Sequence, residues 1–196
     1  MLKRIIIITL ISIVVSAQAY ASVTDVVKKS VDEVVRIVSD KEMKKNPLKR
    51  RQALKQAIDA IFDYTEMSKR SLGRNWDGRT PAERKQFVAL FETLLENSYA
   101  DKIESYDNEK IEYLNETEDG NYAEVRSRIL THSHDYFSLD YRLMDENGSW
   151  KVYDVLIEGV SLVSNYRSQF NKIISENGYS ELLKKMQTKS KEIQAR

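Results

Sequence analysis

The sequence predicts an α+β protein in which a four-stranded antiparallel sheet is covered by helices. Apolar side chains recur every three to four residues over most of 22–106 and again from 160 onward, which is typical of helices. Between residues 110 and 157 the period falls to two, and Asp119-Gly120 and Asn147-Gly148 supply tight turns. Because short connections join antiparallel neighbours, helices from both ends of the chain must cover one face of this sheet.

Residues 1–21 have the three-part pattern of a secretory signal peptide. Lys3 and Arg4 precede an uncharged run over 5–15, and small residues suited to cleavage follow at 17, 19 and 21. An uncleaved anchor is the alternative, because no charged residue occurs between this run and Asp25. The strongly apolar part has only about eleven residues, however, whereas a membrane-spanning helix needs about twenty. We therefore expect export, cleavage after residue 19 or 21, and a single domain over 22–196.

Composition limits the partners and the chemistry. Removing Lys3 and Arg4 from the 31 basic side chains leaves 29 against 30 acidic ones, so the mature chain has no general attraction to nucleic acid. The sequence has no cysteine, so it can form neither a disulfide, nor a catalytic thiol, nor a cysteine metal site. An exported fold without disulfides must be held together by packing.

Six helices are expected around the sheet. They cover about 22–38, 48–62, 63–72, 81–106, 160–177 and 180–187, with a frayed tail after 187 and with Trp76 on a loop between the third and the fourth. The fourth helix has the clearest start, because Thr80 is a favoured N-cap residue, Pro81 suits the first helical position and Glu83 completes a capping box. The apolar stripe behind this start, and the valine-rich stripe of the first helix, are interpreted as buried faces.

The strands are expected at 110–114, 121–131, 136–144 and 150–157. The last of them changes phase, because simple alternation would place Asp154 and not Val155 on the same face as Val152. A β-bulge near Tyr153-Asp154 returns apolar side chains to that face, since one extra residue inverts the alternation. A bulged strand is bent, so we expect a curved sheet, followed by a helix that begins at Val160.

Two groups of side chains could support chemistry. His132 and His134 lie next to Asp135 and could supply ligands for zinc, although exposed histidines at a strand end are the more ordinary interpretation. Asp154 and Glu158 lie on either side of the expected bulge, where a buried carboxylate near a tyrosine could act as an acid/base pair on a small hydrophobic substrate. More often such an aspartate accepts hydrogen bonds at a bulge or pairs with an arginine.

Residues 41–51 contain six basic side chains and Pro47. They could dock on an anionic surface such as lipid headgroups. A solvated linker that leads into a helix is the more ordinary interpretation of the same segment.

Apolar side chains face inward from both the strands and the helices, and sequence alone does not separate a solid core from a cavity. The 11 tyrosines are a weak indication of a cavity. Their hydroxyls need hydrogen-bond partners, and the mouth of a pocket provides polar edges and water.

Five stretches carry a family resemblance. The longest is YDVLIEGVSLVSNYRSQF at 153–170, and the others are FDYTEM at 62–67, LGRNW at 72–76, the helix start at 80–91, and GYSEL at 178–182. Together they resemble the MlaC, or toluene-tolerance, family of periplasmic phospholipid carriers. Because these stretches extend over nearly all of 22–196, the resemblance is more specific than a short motif.

The resemblance implies a curved sheet cupped by helices, as in nuclear transport factor 2 folds, around a large apolar cavity. It implies a diacyl phospholipid as ligand, with no cofactor, no metal and no catalysis. The implied partners are an outer-membrane lipoprotein complex and an inner-membrane ATP-binding-cassette transporter, between which a monomeric carrier shuttles lipid to maintain outer-membrane asymmetry. A periplasmic enzyme of similar fold, with Asp154 as acid/base, is the alternative.

The phase of the strands and helices predicts which side chains contact the lipid. They are Phe62, Met67, Trp76, Phe87, Phe91, Leu94, Tyr99, Val125, Leu139, Tyr141, Val152, Val155, Ile157, Val163, Tyr166 and Phe170. Each methylene withdrawn from water gains about 0.8 kcal/mol, so two chains of about sixteen carbons gain on the order of 20 kcal/mol when they are enclosed. Such a ligand calls for a cavity of about 1,000 Å³ or more.

Overall fold

The computed structural model describes residues 22–194, so the expected signal peptide lies outside the described residues. Within that range the helices are α1 (Val23–Ser39), α2 (Lys41–Lys44), α3 (Pro47–Asp59), α4 (Tyr64–Leu72), α5 (Arg74–Asp77), α6 (Pro81–Glu104), α7 (Leu162–Asn177) and α8 (Tyr179–Gln194). The strands are β1 (Lys110–Asp119), β2 (Tyr122–Leu130), β3 (Tyr136–Glu146), β4 (Ser149–Ile157) and β5 (Val160–Ser161). The α+β class predicted from the sequence is confirmed.

The sheet has five strands rather than the predicted four. They are ordered β1-β2-β3-β4-β5, and every neighbouring pair is antiparallel. Glu158 and Gly159 have φ angles of 50° and 74°, which reverse the chain so that β5 pairs with the end of β4. The predicted helix start at Val160 was therefore wrong, because a strand of two residues has no periodicity that a sequence could reveal.

The β-bulge predicted in β4 is present. Arg142 of β3 pairs with Asp154, but the next residue, Leu143, pairs with Val152, so Tyr153 is the extra residue. Val152 and Val155 therefore face the same side, as the apolar pattern requires. The main chain of Val152 also exchanges hydrogen bonds with the segment that follows α3, at 2.8 Å with the carbonyl of residue 61 and 2.9 Å with the amide of residue 63.

Strand β1 is longer than predicted. It continues to Asp119, whereas the sequence suggested an end at Leu114. Between Tyr113 and Asn115 the register with β2 shifts by one residue, which leaves Leu114 exposed as the extra residue. This second bulge breaks the alternation of apolar and polar residues, and the sequence pattern therefore stopped too early.

Two hydrophobic cores hold these elements. The first lies among α4 to α8 and contains an aromatic cluster, in which Phe87 and Phe91 of α6 contact Phe170 of α7 at centroid distances of 5.6 and 5.5 Å. The second lies between α1 and the sheet, where Val27 packs with several apolar strand residues that include Val125. A smaller cluster joins the end of α1 to α3.

Two predictions about the helices were wrong. Trp76 lies in the single-turn helix α5 rather than on a loop, and it is buried. The last helix begins at Tyr179 and continues to Gln194, well beyond the predicted fraying point. The buried hydroxyl of Ser190 explains the longer helix, because it accepts a hydrogen bond of 2.9 Å from the side-chain amide of Asn97 on α6.

Asp154 connects β4 to the start of α7. One carboxylate oxygen accepts the backbone N–H of Val163 at 3.0 Å, and the other accepts the hydroxyl of Ser161, the N-cap residue of α7, at 2.6 Å. The guanidinium of Arg142 lies 3.7 Å from the second oxygen. Since Asp154 is only 4% exposed, these donors replace the water that an aspartate normally binds.

We expect Asp154→Ala to lower the free energy of unfolding by about 2–4 kcal/mol, because it leaves two buried donors without an acceptor. Urea denaturation of the purified protein measures this loss. Asp101→Ala, at an exposed position of α6, is the matched control and should change stability by less than about 0.5 kcal/mol. Equal stability of the two variants would show that Asp154 does not hold α7.

Candidate functional site

An apolar cavity of about 340 Å³ lies between the sheet on one side and α1, α3 and α6 on the other. Its volume is at the lower end of the range of about 300–1,000 Å³ that is usual for ligand pockets. Charged side chains line only one part of it, and all of them belong to α3 or α6: Arg51, Lys55, Asp59, Glu96, Lys102 and Glu104. We call this charged part the rim of the cavity.

The strands supply an apolar wall. The residues that face the cavity are Ile111 of β1, Ile129 of β2, Phe137, Leu139 and Tyr141 of β3, and Val152, Val155 and Ile157 of β4. On β3 they alternate, as expected for one face of a regular strand. On β4 the spacing is three from Val152 to Val155 and two from Val155 to Ile157, because the bulge at Tyr153 inserts one residue. Without the bulge, Asp154 would face the cavity in place of Val155.

Helix α1 supplies the opposite wall with valines. Val31, Val34 and Val35 face the cavity and are only half-buried, whereas Val27 is buried against the sheet. Apolar side chains in a solid core are covered on all sides by neighbours. Half-buried valines on an inward face therefore mark the boundary of a void.

Half of the side chains predicted to contact lipid lie on the cavity wall. They are Phe62, Met67, Tyr99, Leu139, Tyr141, Val152, Val155 and Ile157. The structure thus brings together predicted residues from the α3–α4 connection, α4, α6, β3 and β4.

The other half do not line the cavity. Trp76, Phe87, Phe91, Leu94, Val163, Tyr166 and Phe170 pack in the core among α4 to α8, and Val125 is buried between α1 and the sheet. These side chains point inward, as their phase predicted. They meet other side chains there rather than an open space.

Sequence reasoning did not assign several wall residues to the site. They are Val27, Ser30, Val31, Val34 and Val35 of α1, Leu54, Ile58 and Ile61 in and after α3, Tyr64 of α4, Leu95, Ala100, Ile103 and Tyr106 in and after α6, Ile111, Ile129 and Phe137 of the sheet, and Leu162 of α7. One signal was available in α1, whose neighbouring valines make a stripe wider than a single packing contact needs.

Lys55 joins α3 to α6 at the rim. Its ammonium group bonds to Glu92, lies 2.9 Å from Asp59, and lies 3.9 Å from Glu96. Partial burial opposes the charged form of this lysine, but the hydrogen bonds to Glu92 and Asp59 prevail and raise its pKa above 10.5. The three carboxylates therefore depend on one shared cation.

A second ionic contact between α3 and α6 lies beside the first. Arg50 reaches Glu104 at 2.5 Å, and Arg51 lies 3.6 Å from the same carboxylate. The Arg50 side chain is largely buried, at 12% exposure. Charge pairs thus bridge the two helices along the rim, beside the apolar cluster that contains Leu54 of α3 and Ile103 of α6.

Three tyrosines of the wall are uncharged at any physiological pH. Burial raises the pKa of Tyr99 to about 12, with a further contribution from Tyr166. Burial also raises the pKa of Tyr141, and burial together with the nearby Asp59 raises that of Tyr64. The wall therefore offers neutral hydroxyl groups within an apolar surface.

Neither Asp154 nor the pair His132 and His134, which could have supported other chemistry, lies on the cavity wall. Both oxygens of Asp154 are used by Ser161 and Val163, and this residue does not line the cavity, so the suggested acid/base pair is not formed there. His132 is exposed and lies 3.6 Å from Asp107. Among residues 22–194, no three His, Asp or Glu side chains are grouped to hold a metal ion.

Within the described part of the chain, no helix combines the length and the apolar character that crossing a membrane requires. Fold and site together define an α+β protein with an apolar cavity. Comparison with protein families then identifies the chain. It belongs to the MlaC family, because the family model described as MlaC protein matches residues 28–188, and the resemblance seen in the sequence is confirmed.

Individual relatives agree with this assignment. The chain is 30% identical over 123 residues to the intermembrane phospholipid transport system binding protein MlaC of Haemophilus influenzae, a match that covers 59% of this chain and 56% of that protein. It is 25% identical over 158 residues to a toluene tolerance protein of Pseudomonas putida, covering 79% of this chain and 74% of that protein. The match to the first relative thus spans little more than half of its length.

A solved structure is also similar. The phospholipid-binding protein from Ralstonia solanacearum, in complex with a phospholipid, superposes with a TM-score of 0.80 at 28% sequence identity. The match covers 88% of this chain and 99% of that chain. The fold therefore extends over nearly the whole of that phospholipid-binding protein.

We expect Lys55→Ala to lower stability at neutral pH by about 1 kcal/mol, a small value because the rim is partly exposed and screened by solvent. Since the folded pKa of Lys55 is raised, its contribution is present at neutral pH and is lost only as the pH rises through that value. In the variant, three neighbouring carboxylates repel one another. The deficit should therefore shrink at alkaline pH, where Lys55 of the parent protein loses its charge as well.

Chemical denaturation of both proteins at neutral and at alkaline pH measures this change. Lys69→Ala is the control, because Lys69 forms an exposed pair with Glu66 at 3.4 Å. A deficit that is the same at both pH values would contradict the shared role of Lys55.

Proposed function

We propose that this protein carries a diacyl phospholipid through the periplasm, with the acyl chains in the apolar cavity. The observation that carries the proposal is a cavity lined by apolar side chains from the sheet and from α1, and open to charged groups only at its rim. Membership of the MlaC family and the likeness to a protein solved in complex with a phospholipid support it. The helices would cup the sheet as in nuclear transport factor 2 folds.

The energetics favour a host of this kind. Enclosing two acyl chains of about sixteen carbons withdraws on the order of 20 kcal/mol of unfavourable hydration, so lipid crosses water slowly unless a comparable apolar surface covers it. The cavity volume of about 340 Å³ is smaller than two chains need. Loading must therefore move the walls apart. Ion pairs join α3 to α6 across the rim, and contacts with the lipid headgroup can replace them when the walls separate.

The headgroup would lie at the rim, where Arg51 and Lys102 are exposed and the acidic side chains are already paired with cations. The apolar wall would hold the chains through the predicted residues that line it, and also through the valines of α1. The predicted residues of the helical core would act indirectly, by holding α6 and α7 in place.

The cellular part of the proposal follows the family. Residues 1–21 would be a cleaved signal peptide, and 22–196 would form the single carrier domain. The monomeric protein would shuttle lipid between an outer-membrane lipoprotein complex and an inner-membrane ATP-binding-cassette transporter, and so maintain the lipid asymmetry of the outer membrane. No cofactor takes part.

Lipid extraction from protein purified from its own host tests the ligand. Mass spectrometry should find diacyl phospholipid at about one molecule per protein, because apolar walls that remain in contact with water cost free energy. Protein that is empty after purification, and that stays empty after incubation with phospholipid vesicles, would overturn the proposal.

Val155→Trp tests the cavity. We expect the larger side chain to fill the space beside Val152 and to reduce lipid loading at least tenfold, while the protein stays folded. Val160→Trp is the matched control, because Val160 is the same residue type on the neighbouring strand but is 60% exposed. Phospholipid content measures the loading of both variants, and circular dichroism shows whether they are folded. Equal loading of the two variants would show that the lipid binds elsewhere.

A further inference from the structure

A basic surface lies at the corner where α2 meets α3. It consists of Lys41, Lys44, Lys45 and Lys49 around Leu48, and we call it the basic corner. All five side chains are exposed. The wider segment 41–51 contains six basic residues and only one acidic residue, Glu42.

The basic corner lies next to the rim of the cavity. Leu48, Arg51 and Lys55 are spaced by three and four residues on α3, so their side chains lie along one side of that helix. Arg51 and Lys55 line the cavity at its rim. Leu48 therefore continues the same side of α3 by about one turn beyond Arg51, toward the start of the helix.

Leu48 is 84% exposed, the highest value among the large apolar side chains of residues 22–192 that remain on the surface. Single exposed leucines are ordinary on protein surfaces. This one differs in its surroundings, because four exposed lysines lie within seven residues of it along the chain. An exposed apolar side chain among lysines matches the interface of a bilayer, where an acyl layer lies beneath charged headgroups.

The lysines are available for an external partner. Within the described residues, Lys41, Lys44 and Lys49 form no ion pair within 4.0 Å, and Lys45 pairs only with Glu42 in an exposed contact of 2.6 Å. Protein interfaces are depleted in lysine and enriched in aromatic residues, which this corner lacks. Clusters of four or more basic residues are typical of surfaces that bind anionic lipid.

We infer that the basic corner docks on an anionic phospholipid surface, with Leu48 inserted between the headgroups. The lysines attract the surface, and the leucine anchors the contact once it is formed. Docking in this way turns the rim of the cavity toward the bilayer. That last consequence rests on the proposed function, whereas the docking itself depends only on the corner.

Sedimentation with vesicles tests the docking. The protein should bind vesicles that contain anionic phosphatidylglycerol, should not bind vesicles of phosphatidylcholine alone, and should be released by high salt, because screening weakens exposed charges. The triple variant K44A/K45A/K49A should weaken binding by about fivefold per lysine, or roughly a hundredfold in total. Leu48→Ser should weaken it by about tenfold without changing the charge.

The matched control is K172A/K184A/K185A. It removes the same charge from exposed lysines of α7 and α8, none of which lines the cavity, and should leave binding within about twofold of the parent. Equal losses in the two triple variants would overturn the inference, since net charge alone would then explain binding. Absence of binding to anionic vesicles, or equal binding to neutral ones, would overturn it as well.

Phospholipid content measured on the same preparations separates this inference from the proposed function. Protein that carries phospholipid but does not sediment with anionic vesicles would contradict the docking and leave the carrier function standing. Protein that sediments through the basic corner but never holds phospholipid would support the docking and contradict the carrier function. All variants should retain the parental circular dichroism, because the altered side chains are exposed.

Discussion

The first half of helix α6 packs in the helical core, and the second half lines the cavity. The packed half holds this wall of the cavity in place. Phe87 and Phe91 are fully buried against α7, where Phe91 meets Tyr166 at a centroid distance of 5.1 Å. About one and two turns further on, Leu95 and Tyr99 face the open space. Apolar walls around a void lose packing contacts and tend to close. A helix clamped in a solid core beside the void resists that closure.

The sequence predicted the α+β class, the order of most elements and the bulge in β4, because each rests on a local pattern. Periodicity reports the direction in which a side chain points. It does not report what the side chain meets there, and α6 shows the limit. Its apolar stripe is continuous, yet Phe91 contacts other helices and Tyr99 lines the cavity. Half of the residues predicted to contact lipid therefore pack in a core instead of lining the cavity.

The residues that sequence reasoning missed share a physical cause. Val31 and Val34 were interpreted as ordinary core because a stripe of valines has the same spacing whether it packs or borders a void. Strand β5 has two residues and no period, and β1 is interrupted by a bulge at Leu114. Tertiary contacts, rather than local preference, set all three features. The rim, built from charges on α3 and α6 that are far apart in sequence, is a fourth case.

The main-chain hydrogen bonds of Val152 to residues 61 and 63 affect whether two copies of this chain can pair through the edges of their sheets. At the β4 end of the sheet, β5 covers the last part of the strand, and the segment after α3 bonds to the main chain of Val152. That edge offers no long free row of amides and carbonyls. The opposite edge, β1, is bent by its bulge and carries Glu118 and Asp119 exposed near its end. Bulges and like charges discourage edge-to-edge pairing. A molecule with an apolar interior open to solvent is thus protected against aggregation through its strands.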